Sequence, residues 1–216
     1  MNVIITWLCA LLSPPQCAQC KIFISERDPL CASCESLIRP VTSIKIPLTA
    51  RYSMTVHALA DYQEPLRSLI LAKNYGTRVG CSQLAQLIIK RLNISCIESC
   101  DYFVPVPLHW SRYAQRGFNQ ADIIATMMAT AHHKKVAYVL KRHKKTLFQA
   151  ALTALQRKEN VAQSFSIKQL HDYEGKHLII IDDLMTTGAT LQAAAKELIK
   201  LKPASITAIV AARVVL

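Results

Sequence analysis

Two pairs of cysteines carry the first chemistry legible in this chain. Cys17 and Cys20 form one CxxC turn, and Cys31 and Cys34 form a second after ten intervening residues. A CxxC turn aims two thiolates at one point, and two facing turns close a tetrahedral four-sulfur cage suited to Zn²⁺. Disulfides suit a reducing compartment less well, and no strand–helix–strand pattern of a redox motif surrounds these residues. A closed cage leaves no open coordination position, so such a metal folds a small lobe and does no chemistry. Turns of this kind often place glycine after the second cysteine, whereas Lys21 and Glu35 stand there. Cys9, Cys81, Cys96 and Cys100 are scattered, as buried or free thiols are.

A second site lies at residues 178–191. The apolar run Leu178, Ile179, Ile180, Ile181 ends in Asp182 and Asp183, and Thr186, Thr187, Gly188, Ala189 and Thr190 follow. A buried strand here brings two carboxylates to its carboxyl end, where open α/β sheets bind ligands. Backbone N–H groups of the turn, the three threonine hydroxyls and the positive end of the next helix make a cradle for one phosphate. The chain has five glycines, and one placed in this turn indicates close backbone approach to a ligand. Acids beside a phosphate repel it unless they hold something else: ribose hydroxyls, or a Mg²⁺ ion on the same ligand. An Asp-capped helix behind an edge strand is the purely structural alternative.

The elements that must position these residues alternate. Strands are expected over residues 52–62, 102–107, 136–140, 177–183 and 206–215. Helices are expected over 64–74, 82–92, 119–130 (with Asn119 as N-cap), 154–162 and 189–201, while Pro40 and Pro47 mark a linker. This alternation predicts a parallel α/β sheet with helices on both faces. Neither GxGxxG nor GxxxxGK[ST] occurs, which excludes the dinucleotide fingerprint and the Walker A loop. Residues 3–12 are apolar but too short to span a bilayer, and no basic segment precedes them. A short docking helix is expected there, no membrane span is expected anywhere, and the chain reads as cytoplasmic.

With 216 residues and 51% apolar content the chain can fill a core, and its formal charge is +12. That charge is concentrated: residues 123–158 contain no acid and carry Lys134, Lys135, Lys141, Arg142, Lys144, Lys145, Arg157 and Lys158. A solvated basic face satisfies this pattern, and so does a surface for a polyanion such as phosphate, nucleic acid or anionic lipid. Tyr138 and Phe148 are the only aromatics in the block. Base stacking is then sparse, or supplied from elsewhere by Trp110 or Tyr113.

Segment 178–191 resembles the ribose-5-phosphate loop of type I phosphoribosyltransferases. The chain as a whole, over essentially residues 15–215, is similar to the ComF/GntX family of competence-associated proteins. That likeness rests on Val104-Pro-Val-Pro-Leu-His109, on Arg116-Gly-Phe-Asn-Gln120, on Thr146, Gln149, Leu152, Arg157, Asn160 and Phe165, and on the four-cysteine module. The resemblance implies a type I phosphoribosyltransferase-like domain over residues 46–216 and an N-terminal helix and zinc module over residues 1–45. It implies that Asp182 and Asp183 hold the 2′- and 3′-hydroxyls of phosphoribosyl pyrophosphate (PRPP), bound with Mg²⁺, and that residues 186–190 hold its 5′-phosphate. His109, Arg112, Arg116 and Gly117 become candidates for a pyrophosphate loop. Thr146, Gln149, Arg157 and Asn160 become candidates for a flexible loop that closes over the ligand. Lys73 is a further candidate for the anion, or else a helix C-terminal charge.

Two functions remain open at this point. The resemblance implies a protein of natural transformation, working with other competence proteins and handling single-stranded DNA through Lys134, Lys135, Lys141, Arg142, Lys144 and Lys145. A metabolic transferase that displaces pyrophosphate from ribose C1′ in favour of a small acceptor is the alternative, and no residue of the sequence marks its acceptor.

Overall fold

Isoleucine- and alanine-rich runs form the centre of the sheet. The computed structural model describes residues 16–24, 28–71, 78–92, 94–143, 164–168 and 172–215. Its strands are β1 (Ile44–Pro47), β2 (Ser53–Asp61), β3 (Tyr102–Pro105), β4 (Lys135–Val136), β5 (Leu140–Arg142), β6 (Phe165–Ile167), β7 (His177–Met185) and β8 (Ser205–Arg213). Its helices are α1 (Ala32–Glu35), α2 (Leu66–Leu71), α3 (Arg78–Arg91), α4 (Trp110–Arg116), α5 (Gln120–Ala131) and α6 (Ala189–Leu198). The main sheet runs β1-β2-β8-β7-β3-β4, and β5 pairs with β6 in a separate antiparallel ribbon.

β7 and β8 are buried on both sides, and alternate residues feed two cores. Ile179, Ile181 and Ile209 join Leu66, Leu84, Ile88, Ile124 and Met128 from α2, α3 and α5. Leu178, Ile180, Ala208 and Val210 join Leu191, Ala194 and Leu198 from α6. Helices therefore cover both faces, as the alternation of elements predicts. The cysteine module is not a separate bead. Cys17, Leu30, Cys34 and Ile38 belong to the same apolar cluster as Leu84 and Ile88 of α3. Lys90 Nζ reaches Asp28 at 2.8 Å and Glu35 at 3.1 Å, and Arg91 Nε reaches Glu35 at 3.2 Å.

Several expectations need correction. The sheet is mixed, because β1 pairs antiparallel with β2 while the other main-sheet pairings are parallel. β1 lies inside the expected linker, ending on Pro47, which an edge strand tolerates. The expected strand 136–140 is two short strands in different sheets, β4 and β5. The residues expected in a pyrophosphate loop belong to α4 or its ends: Arg112 and Arg116 lie within it, His109 caps its start and Gly117 closes it. The expected helix 154–162, the N-terminal run 3–12 and Lys73 fall outside the described residues. Among the described residues, no helix is long and apolar enough to cross a membrane.

Candidate functional site

The acid pair sits where β7 loses its regular pleat. Ile179 and Ile181 face one core, and Leu184 packs on that same core, while Met185 joins the other. Strict alternation would give the reverse, so the backbone turns at Asp182 and Asp183. Each carboxylate accepts the next backbone N–H: Asp183 N donates to Asp182 Oδ1 at 3.0 Å, and Leu184 N donates to Asp183 Oδ1 at 2.7 Å. Burial pushes both carboxyls up from 3.8 to about 6, against the opposing effect of those N–H groups and, for Asp182, of Arg142. Two carboxylates with raised pKa values at a strand end need hydroxyl donors or a cation to settle their charge.

The turn that follows is tightly constrained. Gly188 has φ of 76° and opens α6, a conformation that L residues disfavour. A Cβ there would stand 2.8 Å from Met185 Cε and 3.1 Å from Ile46 Cδ1. Edge strand β1 thus presses on the cradle from outside, and Gln192 Nε2 of α6 ties to Pro47 O at 3.0 Å. Thr186 and Thr187 are exposed, Thr190 is half-buried, and Ala189 N points to Thr187 Oγ1 at 3.5 Å.

Arg142 is the residue whose place the sequence did not reveal. It belongs to the basic block, yet it is half-buried and lies over the Phe165 ring, 5.3 Å from its centroid. Burial, followed by the charge of Arg112, lowers its pKa, and the charge of Asp182 acts in the opposite sense. The ribbon that carries it packs against α6. Arg112, Arg142 and Asp182 therefore share one electrostatic field. The available signal was period two: Leu140 is buried and Lys141 exposed, which turns Arg142 inward with Leu140.

The other expected residues are distributed unevenly. His109 is buried and its Nδ1 accepts from Ser111 N at 3.3 Å, capping α4. The Gly117 N–H donates to Tyr113 O at 2.7 Å with φ of 76°, so this glycine closes a helix. Arg116 is exposed at the end of α4. Asn119 precedes α5, but its Nδ2 bonds Val106 O at 2.9 Å, tying the end of β3 to the helix instead of capping it. Gln120 is buried, and its Nε2 has no partner among the described residues. In the basic block, Lys134 Nζ is held by Glu98 O at 2.7 Å, while Lys135 and Lys141 are exposed. Lys144, Lys145, Thr146, Gln149, Arg157 and Asn160 lie outside the described residues.

The four cysteines do converge. Their sulfurs lie within 4.8 Å of one another, and Cys20 Sγ and Cys31 Sγ are 3.7 Å apart. Tetrahedral zinc with bonds of about 2.3 Å places its sulfurs about 3.8 Å apart, so this cluster can hold a metal such as zinc. Lys21, in the place where glycine was expected, has φ of 64° and anchors its Nζ on Ala18 O at 2.7 Å. Burial opposes ionisation of Cys17, but N–H groups of Cys20, Cys31 and Gln19 outweigh it and bring the thiol down to about 6.

A largely parallel sheet with an acid pair and a Thr-Thr-Gly turn at the junction of its central strand with a helix defines a class. Residues 114–214, just under half of the chain, match the phosphoribosyl transferase domain family. More particularly, the chain is similar to proteins named for DNA utilization and competence. It is 30% identical to DNA utilization protein YhgH of Escherichia coli over 148 residues, 66% of this chain and 64% of that one. The match therefore spans just under two thirds of that relative's length. It is 33% identical to Competence protein F of Haemophilus influenzae over 103 residues, 47% of this chain and 45% of that one. It is 29% identical to Competence protein ComFC of Bacillus subtilis over 216 residues, 86% of this chain and 85% of that one.

Proposed function

We propose that this chain binds PRPP with Mg²⁺ at residues 182–190 and handles single-stranded DNA during natural transformation. The observation that carries the first half is the acid pair set against the Gly188 turn. Asp182 and Asp183 accept from the ribose hydroxyls, which satisfies charges that burial makes costly. The turn at residues 186–190 and the start of α6 hold the 5′-phosphate. Arg112 and Arg142 face the pyrophosphate end, where an anion relieves the repulsion between the two guanidinium groups. Mg²⁺ supplies further neutralisation of the pyrophosphate. The second half rests on the names of the relatives and on the exposed basic residues Lys135 and Lys141, since neutralised phosphates dominate nucleic-acid affinity. Zinc is assigned to the cysteine cage, whose thiols suit a cytoplasmic protein.

Titration calorimetry tests the pocket. Wild type should release or take up heat with Mg²⁺–PRPP, and Asp182→Ala should weaken binding at least about tenfold, the loss of a charged hydrogen bond. Arg142→Gln should weaken PRPP but leave ribose 5-phosphate affinity unchanged. No heat with wild type overturns the pocket assignment. Fluorescence anisotropy with labelled oligo-dT tests the DNA half, which fails if no binding occurs at low salt.

A further inference from the structure

We propose that α4 is a stacking platform for the unpaired bases of single-stranded DNA. The inference rests on the DNA reading above and gives that reading a location. Helix α4 buries none of its residues. A helix that contributes nothing to a core is expected to be polar all round, yet this one exposes two aromatic rings. Trp110 is 72% exposed and Tyr113 is 52% exposed, and no acid occurs between residues 110 and 116. At about 100° per residue, Trp110, Tyr113, Arg116 and Arg112 fall on one half of the helix, with Ser111, Ala114 and Gln115 on the other. Aromatic faces and guanidinium groups thus lie side by side, which is how proteins grip a flexible strand: rings for bases, cations for phosphates.

The platform is held in place before any strand arrives. Trp110 leans on the buried His109 ring, with centroids 5.6 Å apart and planes at 42°. His109 is fixed in turn by its hydrogen bonds to Ser111, the backbone N at 3.3 Å and Oγ at 2.9 Å. Gly117 stops the helix after two turns, and Asn119 pins the chain to Val106. One edge of the platform reaches the PRPP site, because Arg112 shares its field with Arg142 and Asp182. The occupant is a polyanion with flat apolar faces, and a duplex, whose bases are already stacked, does not meet that description.

The test uses the full chain and two fluorescein-labelled oligonucleotides of equal length, one oligo-dT and one abasic, which has the same phosphates but no bases. Wild type should prefer oligo-dT by at least about tenfold, since stacking on aromatics contributes that much per base. Trp110→Ala and Tyr113→Ala should each reduce that preference toward one while leaving the abasic affinity unchanged, and Trp110→Phe should retain part of it. Arg112→Ala and Arg116→Ala should weaken both oligonucleotides and reduce the salt slope by about 0.7 for each phosphate no longer neutralised. Circular dichroism and thermal melts confirm that the exposed-site variants fold. Equal binding of the two oligonucleotides by wild type, or an unchanged preference in both aromatic variants, overturns the platform alone. Binding of neither oligonucleotide overturns the DNA reading with it. A wild-type oligomer that Trp110→Ala dissolves would instead show an interface between copies of this chain, and the proposal would fall.

Discussion

At the level of single residues, Asp182 and Asp183 set stability against binding. Both carboxyls titrate at about 6 in the folded chain, against 3.8 when unperturbed. The folded state therefore holds these protons more tightly than the unfolded state. Their stabilising contribution is complete below about pH 4 and is lost as pH rises through about 6. Ligand affinity moves the other way, because the ionised carboxylates are the better acceptors for ribose hydroxyls. Asp182→Asn keeps an oxygen for the Asp183 N–H and removes the half-buried charge. It should melt several degrees above wild type at pH 7, with the gap closing toward pH 4, while PRPP binding weakens and keeps only the part of its pH dependence between 5 and 7 that Asp183 supplies. Thermal melts and calorimetry across that range check both halves. An Asn variant less stable than wild type at pH 7 would contradict the burial argument.

At the level of elements, the junction β7–turn–α6 was legible in the sequence because its signals agree: an apolar run, two acids, threonines and a glycine at a helix start. Gly188 shows what the sequence withheld. Its need for a positive φ could be guessed, but the pressure from Ile46 could not, since β1 hides in a proline-marked segment that reads as linker. The same holds for α4, whose seven residues bury no face and so leave no hydrophobic period to read. Arg142 was placed with the surface charges because composition counts charges and does not orient them. The β5–β6 ribbon that turns it inward pairs residues far apart in the chain, a pairing that no local pattern encodes. The junction makes a clear prediction. Gly188→Ala meets both the backbone penalty and the Met185 side chain, for a combined cost of about 1–3 kcal/mol. Its melting temperature should fall by several degrees, and PRPP affinity should fall with it as the cradle N–H groups rotate away. Ile46→Ala in the same background should recover part of the stability, because it removes one of the two side chains that a Cβ meets. No recovery would place the whole cost in the backbone and at Met185.

At the scale of the whole molecule, the basic block divides into parts with different tasks. Lys134 is tied to Glu98, Arg142 turns toward the acid pair, and Lys135 and Lys141 remain in solvent. Among the described residues of the block, the charge is therefore not one patch. The cysteine cage is the other feature at this scale, and its burial pattern makes it a support for the transferase-like sheet. Cys17 and Cys34 are buried with Leu30 in the same apolar cluster as Leu84, Ile88, Ile179 and Ile181. Lys90 and Arg91 at the end of α3 join Asp28 and Glu35; such ion pairs are individually weak, so they fix orientation more than they add stability. Without a metal the cage is four crowded thiols, with burial and the neighbouring sulfurs pushing Cys34 up to about 12. Chelation under reducing conditions should therefore lower the melting temperature of the entire chain, by at least about 5 °C, in one transition shared with the sheet. Cys34→Ser should do the same without chelator, while Cys96→Ser, outside the cage, should not. A preparation that contains no zinc yet melts unchanged, with four reactive thiols, would refute the cage. A separate low-temperature transition for the module would show that its apolar packing on α3 transmits nothing to the sheet.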